Sequence, residues 1–400
     1  MKLIYFANIR LPTEKAYGIQ IMKMCDAFSH AGAEVTLVIP TRANPGFNGV
    51  NPFDYYGVKR SFALQRIKTF DPWWLIRLPQ GIYIKVQGFL FIFKLYLWFF
   101  IHNIYSKYDV AYTRDEYLLP LLHKFFPRVV WEAHNLPSHP QRYIKAWRKC
   151  RYIVAITKGL KDALVKQGVH PDHIMVAPDG VDLEKFTRSS DRVPSRMTGQ
   201  VQPFDSAQGD RDELRRQLGL PTDKKIILYS GHLYERKGAQ MLADAIRLLD
   251  DRFLAVIVGG TPHDIERFAI RNMDTFRIKI VGYQPHALIP RYLNAADALV
   301  LPNSAKNDDA KLFTSPMKLF EYMTAHAPLI ASRVPALQEI LNDHNAVFFN
   351  PDDPRDLANV IQKVIDNPDL YNAYWQQANK DVMQYTWLKR AQRIFTTIIK

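Results

Sequence analysis

The chain has 400 residues, 48% of them apolar and 12% aromatic, which supplies more core than one domain holds and points to two. Its 2 cysteines, Cys25 and Cys150, exclude a disulfide framework and a cysteine metal site, and a reducing cytoplasm is expected. The formal charge of +14 is uneven, with 24 Lys+Arg against 13 Asp+Glu in residues 1–182 (+11) and 29 against 26 in 183–400 (+3), a bias that suits nucleic acid, an anionic membrane surface or an acidic substrate.

The opening MKLIYFANIRLP has neither a secretory apolar run nor a small-residue cleavage site, so no signal peptide is expected. LIYFAN reads as a strand, residues 19–30 as a helix stopped by Gly32, and EVTLVIP as a second buried strand: a βαβ start. Residues 51–107 carry 8 Lys+Arg against 2 Asp+Glu, interleaved with Phe53, Trp73, Trp74 and Trp98. This mixture suits peripheral contact with an anionic membrane, weighed against a core helix with snorkelling lysines. The apolar run 89–101, broken by Lys94, is shorter than the roughly 20 residues a bilayer requires, so no spanning segment is expected. No nucleic-acid-binding motif accompanies the charge, which argues against that partner.

Further strands at 110–112, 129–132 and 152–157, the last leading into a helix ending near Gly168, imply a parallel sheet wrapped by helices. Residues 187–212 are polar and rich in breakers, and read as a flexible insertion at the domain junction. From Lys225 a second alternation begins: strands IILYSG, LAVIVGG, IKIVGY, ALVLP, LIAS and AVFF, with helices at 239–249, 317–324 and 336–341. Helices at 354–365, 370–377 and 387–399 close the chain.

Loops leaving strands and entering helices are where parallel α/β sheets hold phosphates, because the first helical N–H groups are unpaired and the helix dipole favours anions. SGHLYERKG, 230–238, is one such loop, with Gly231 and Gly238 for close backbone approach and Arg236 and Lys237 as cationic donors; the bland reading is a solvated turn. TSPMKLFEYM follows the strand ALVLP, with Ser315 expected as N-cap and Pro316 as first helical residue. Glu321 lies in that helix among Leu319, Phe320, Tyr322 and Met323, where a carboxylate facing a pocket accepts two ribose hydroxyls. WEAHNLP delivers His134 to the end of a strand, and a structural histidine is the competing reading. The G-x-G-x-x-G spacing is missing, since Gly18 is the only glycine before Gly32, which argues against a Rossmann dinucleotide site.

Taken together these segments resemble the retaining glycosyltransferases of family 4. The likeness is strongest in SPMKLFEYMTAHAPLIASRVPALQEIL, 315–341, which is similar to that family's donor-nucleotide signature. It extends to APDGVDLEKF, GHLYERKG, the amino-terminal YGIQIMKMCDAFSHAGAEVTLV with Gly18, and the closing YTWLKRAQRI, which resembles the family's crossing-back helix. The resemblance implies an α/β GT-B fold of two Rossmann-like domains facing across a cleft. Residues 1–182 would form the acceptor side, joined by the last helix at about 385–400, with 187–212 as linker and 213–384 as the nucleotide-sugar-binding domain. It implies a donor phosphate role for Lys237, a ribose role for Glu321 and an active-site role for His134. Gly18, Ser315, Pro316, Lys318 and Leu319 fall within the donor signatures. Two positions depart from the pattern. His232 stands where an arginine is usual, leaving Arg236 or another cation to complete the clamp, and Phe313 replaces the first glutamate of the Glu-x7-Glu pair, with Asp308 and Asp309 as nearby substitutes.

The expected activity is transfer of a hexosyl group from a nucleoside diphosphate sugar to a glycan or lipid-linked acceptor, with retention, no metal and no cofactor, in surface polysaccharide or glycolipid synthesis. The cytoplasm, at the inner face of the membrane, is the expected location. A catalytically silent nucleotide- or glycan-binding subunit of the same fold is the alternative, supported by Phe313; a basic nucleic-acid-binding protein is the third reading.

Overall fold

A computed structural model describes residues 1–42, 44–69, 80–188, 207–234, 237–273 and 276–399. The chain forms two compact units, Met1–Asp179 with Trp387–Lys400, and Gly180–Thr386.

The first unit is built on seven parallel strands: β1 Lys2–Phe6, β2 Glu34–Thr41, β3 Ala63–Lys68, β4 Val110–Thr113, β5 Val129–Ala133, β6 Tyr152–Ala155 and β7 Ile174–Val176, in the order β3-β2-β1-β4-β5-β6-β7. Every residue of β4 and β5 is buried, because helices cover both faces and the strands read as unbroken apolar runs rather than alternations. The order reverses between β1 and β4, so the carboxyl ends of these strands diverge and leave a crevice there.

The second unit repeats the plan with β8 Lys225–Ser230, β9 Phe253–Val258, β10 Ile278–Gly282, β11 Ala298–Leu301, β12 Leu329–Ser332 and β13 Val347–Phe349, ordered β10-β9-β8-β11-β12-β13 and all parallel. Its switch point lies between β8 and β11. The backbone of Gly238 crosses that edge so closely that a Cβ would stand 1.9 Å from the carbonyl oxygen of Pro302, and its φ of 77° also favours glycine.

The structure corrects three expectations. The apolar run 89–101 is part of a longer helix, Gln80–His102, which is long and apolar enough by length and composition to cross a membrane. One stripe of it is nonetheless packed into the first unit, Phe91, Leu95 and Phe99 being fully buried and Phe99 touching Phe6, Phe125 and Phe126. The helix therefore lies along the unit instead of leaving it. Within 187–212, residues 207–212 begin a helix, Ala207–Gln217, tied down where Arg215 meets Asp297 at 2.6 Å and Arg211 meets it at 3.3 Å; residues 189–206 lie outside the described residues. Pro316 rather than Ser315 is the N-cap of the helix Met317–Tyr322, because its ψ of 125° is extended and the first helical turn starts one residue later.

Candidate functional site

In the first unit the chemistry gathers on Glu132, at the end of β5, which is wholly buried. Its carboxylate accepts hydrogen bonds from Gln20, from the Tyr112 hydroxyl, from His134 Nε2 at 2.7 Å and from Arg390 at 3.0 Å. Burial alone would push this carboxyl up, but Arg390, the His134 bond and the Tyr112 hydroxyl together hold it well below the ordinary range. An ionised carboxylate only accepts, so His134 Nε2 carries the proton and Nδ1 keeps its lone pair. Burial, with help from the Arg114 charge, lowers the His134 pKa despite its carboxylate neighbour, which favours that neutral form. The side chain is 17% exposed, so the ring edge reaches solvent while its partner does not.

Arg390 comes from the helix Trp387–Ile399 and spends its remaining donors on the carbonyls of Ala177 and Pro178. Asp179, 4.0 Å from the same guanidinium, is pushed up by burial. Gly18, in the first turn of the helix Ala16–His30, has a packing reason to be glycine: a Cβ would lie 2.2 Å from the hydroxyl of Tyr56, which bonds both N and O of Thr13 at 2.8 Å.

In the second unit Lys237, Lys318 and Glu321 are positioned by the β8 edge and the helix Met317–Tyr322. Tyr322, fully buried, accepts the backbone N–H of Ser230 at 2.6 Å and so fastens that helix to the start of the phosphate-type loop. The Lys318 Nζ is enclosed, makes no hydrogen bond, and stands 4.0 Å above the ring of Tyr229. Burial pushes this ammonium well below the usual lysine range; Lys237 adds repulsion and Glu321 offsets part of it. Two cations thus stand close together, with Glu321 as the acid that partly offsets their repulsion. Gly231, with φ 138°, leaves room beside them, a Cβ there coming within 3.7 Å of Lys318 Nζ.

Glu321 is nearly buried and accepts from His286 Nε2 at 2.7 Å; Lys185 Nζ donates to His286 Nδ1 at 3.1 Å. The relay Lys185–His286–Glu321 was not anticipated from sequence, because it joins three separate segments and carries no local motif. His232 stacks on Tyr234 with ring centroids 5.1 Å apart, and its carbonyl accepts the Tyr229 hydroxyl. The Leu319 side chain belongs to the core, 1% exposed. Phe313 is buried, and Asp308 and Asp309 are exposed in the first turn of a short helix, Asp308–Lys311. Arg236, Trp73 and Trp74 lie outside the described residues.

Two parallel α/β sheets, each with its polar groups at the strand ends, define a two-domain GT-B fold. Residues 18–185 match the model of Glycosyltransferase Family 4 and residues 210–381 that of Glycosyl transferases group 1, and the chain belongs to this family of glycosyltransferases. It is similar to a glycosyltransferase named for teichuronic acid biosynthesis in Bacillus subtilis, 27% identical over 164 residues, covering 41% of this chain and 39% of that protein. It is also similar to the D-inositol 3-phosphate glycosyltransferase of Xylanimonas cellulosilytica, 29% identical over 217 residues, covering 52% and 47%. The matched stretches thus span less than half the length of these two relatives. Among solved structures, Anabaena HepE in complex with UDP-glucose superposes with a TM-score of 0.70 at 16% identity, covering 100% of this chain and 99% of that one.

Proposed function

We propose that the protein transfers a hexosyl group from a nucleoside diphosphate sugar to a hydroxyl of a glycan or lipid-linked acceptor, with retention of configuration, in synthesis of a surface polysaccharide or glycolipid. The observation that carries this reading is the enclosed Lys318 ammonium, which has no hydrogen-bond acceptor and lies beside Lys237 at the carboxyl edge of the second sheet. A diphosphate would give the Lys318 ammonium a hydrogen-bond acceptor, and both lysines would gain as more charge develops on it when the sugar departs. Neutralisation by lysines assigns no task to a metal or a cofactor. Glu321, oriented by His286, is suited to accept ribose hydroxyls, and His134, held by Glu132, to act on the acceptor side with its Nδ1 lone pair. Ser315, Pro316, Gly231 and the His232 backbone would line the donor, with Arg236 as a further cation. Gly18 would serve by keeping its loop closed on Tyr56. The Anabaena structure in complex with UDP-glucose supports a nucleotide-sugar donor, and UDP-glucose is the first to try. We further place the protein in the cytoplasm, in peripheral contact with the membrane.

The second reading, a silent binding subunit, is favoured by Phe313, a buried phenyl ring where a carboxylate would hold the sugar. Release of UDP from UDP-glucose and other UDP-sugars by the purified protein separates the two. Turnover above that of a Lys237→Ala/His134→Ala variant supports the enzyme; tight UDP binding with no turnover on any donor supports the subunit.

A further inference from the structure

The helix Gln80–His102 turns one apolar stripe into the first unit and leaves another outside. At about 100° per residue, Phe91, Leu95 and Phe99 form the inward stripe, all 0% exposed. Roughly opposite, Tyr96, Phe89, Phe100, Phe93, Leu97 and Ile101 follow one another around a sector of about 140°. Their exposures are 45%, 68%, 76%, 49%, 36% and 70% in that order. Soluble surfaces seldom gather so many large apolar groups on one face.

The edges of this sector are cationic. Lys85 projects about 20° beyond Tyr96 on one side and Lys94 about 20° beyond Ile101 on the other, both exposed, and exposed Lys107 follows the helix. No aspartate or glutamate occurs between Asp71 and Asp109. An apolar sector rimmed by lysines, with aromatic rings inside and no acidic residue along the helix, is the layout of a helix lying in the headgroup region of an anionic bilayer. A spanning orientation is inconsistent with the packed stripe, since Phe99 would have to abandon Phe6, Phe125 and Phe126.

We infer that this outer face of the helix docks the first unit on an anionic lipid surface, with Phe89, Phe93 and Phe100 inserted and Lys85 and Lys94 at the phosphates. This gives the membrane contact proposed above a definite surface among the described residues; of the tryptophans singled out in the sequence, Trp98 is half-buried beside Phe99 and His102, and Trp73 and Trp74 lie outside the described residues. The inference rests on the proposed membrane contact but not on the donor chemistry, so the two are separable.

The test is flotation of the full chain with vesicles of phosphatidylcholine alone and with phosphatidylglycerol added, alongside UDP binding by the same preparations. The wild type should float with the anionic vesicles, less with neutral ones, and be partly released by salt. The triple variant Phe89→Ser/Phe93→Ser/Phe100→Ser should partition at least about tenfold more weakly, given what one buried phenyl ring contributes. Lys85→Glu/Lys94→Glu, which spares every ring should the triple variant fold poorly, should lose about fivefold or more per lysine on anionic vesicles alone. The inference is overturned if the wild type floats with neither vesicle, if both variants float like the wild type, or if the face instead pairs two copies, seen as a dimer that the triple variant dissolves without any vesicle binding. UDP binding that survives loss of flotation leaves the catalytic proposal standing, and flotation without UDP binding does the reverse.

Discussion

Arg390 donates to Glu132 at 3.0 Å across 258 residues of sequence, both side chains almost wholly out of water. Through this pair the last helix reaches the same carboxylate that His134 uses. Breaking such a pair from one side strands a buried charge, which typically costs about 3–5 kcal/mol, whereas removing both charges costs less. Arg390→Met and Glu132→Gln should therefore each destabilise strongly, and the double variant by less than their sum, as read from denaturant unfolding. Singles costing under about 1 kcal/mol would show the pair to be dispensable.

The pH dependence follows from the direction of the Glu132 shift. Its folded-state pKa lies below the unfolded value, so its contribution to stability is full above the ordinary carboxylate range and is lost as pH falls through the folded value. Glu132→Gln should flatten the acid limb of the stability curve. An unchanged limb in that variant would assign acid unfolding to other carboxylates.

His134 yields a second pH prediction. Its folded pKa is lowered, so neutral imidazole is favoured, and both its stabilising contribution and its Nδ1 lone pair are present above about pH 6.5 and lost on acidification below the ordinary histidine range. The acid limb of kcat/KM should sit below pH 6.5, while His134→Ala should depress kcat and leave UDP affinity nearly unchanged. A large loss of UDP affinity at normal kcat would move this residue to the donor side.

The extent to which these features were legible in the chain follows from how local they are. Strands such as LIYF and FLAVIV announce themselves because both faces are covered, so the apolar run is unbroken. ALQRIK, the edge strand β3, has only Ile67 buried, so no apolar run marks it as a strand. Lys237 and Glu321 are legible because each sits in a segment with its own motif. Long-range partners are not legible: His286 reaches Glu321 from 35 residues away, and Arg390 reaches Glu132 from the other end of the chain. Periodicity records which face of an element is dry, but not which two dry faces meet.

Lys318 allows stability and binding to be pulled in opposite directions. Its ammonium is buried without a hydrogen bond, and a lysine whose folded pKa is lowered makes the protein less stable as pH falls below the ordinary lysine range. Lys318→Met should thus raise the melting temperature of the free protein while weakening UDP binding, by roughly 1.5–3 kcal/mol if one charge-assisted bond is lost. Lys237→Ala should weaken UDP by a similar amount without the gain in stability. Unchanged affinity in Lys318→Met would remove Lys318 from the donor site.

Glu321 and His286 bear on how the nucleoside is held. The carboxylate already spends one oxygen on His286 Nε2, which leaves the other to meet a ribose hydroxyl. Glu321→Gln keeps the shape but replaces one acceptor with a donor, so His286 Nε2 and the ribose would compete for a single carbonyl oxygen. Affinity for UDP should fall by about tenfold or more while the melting temperature moves little, since the side chain's apolar neighbours are untouched. His286→Ala should act more mildly on affinity because it frees the carboxylate without removing it, and should leave affinity for inorganic diphosphate, which has no ribose, as in the wild type. Equal losses for UDP and diphosphate in both variants would show that the Glu321–His286 pair supports the fold of the phosphate region and does not read the sugar of the nucleoside.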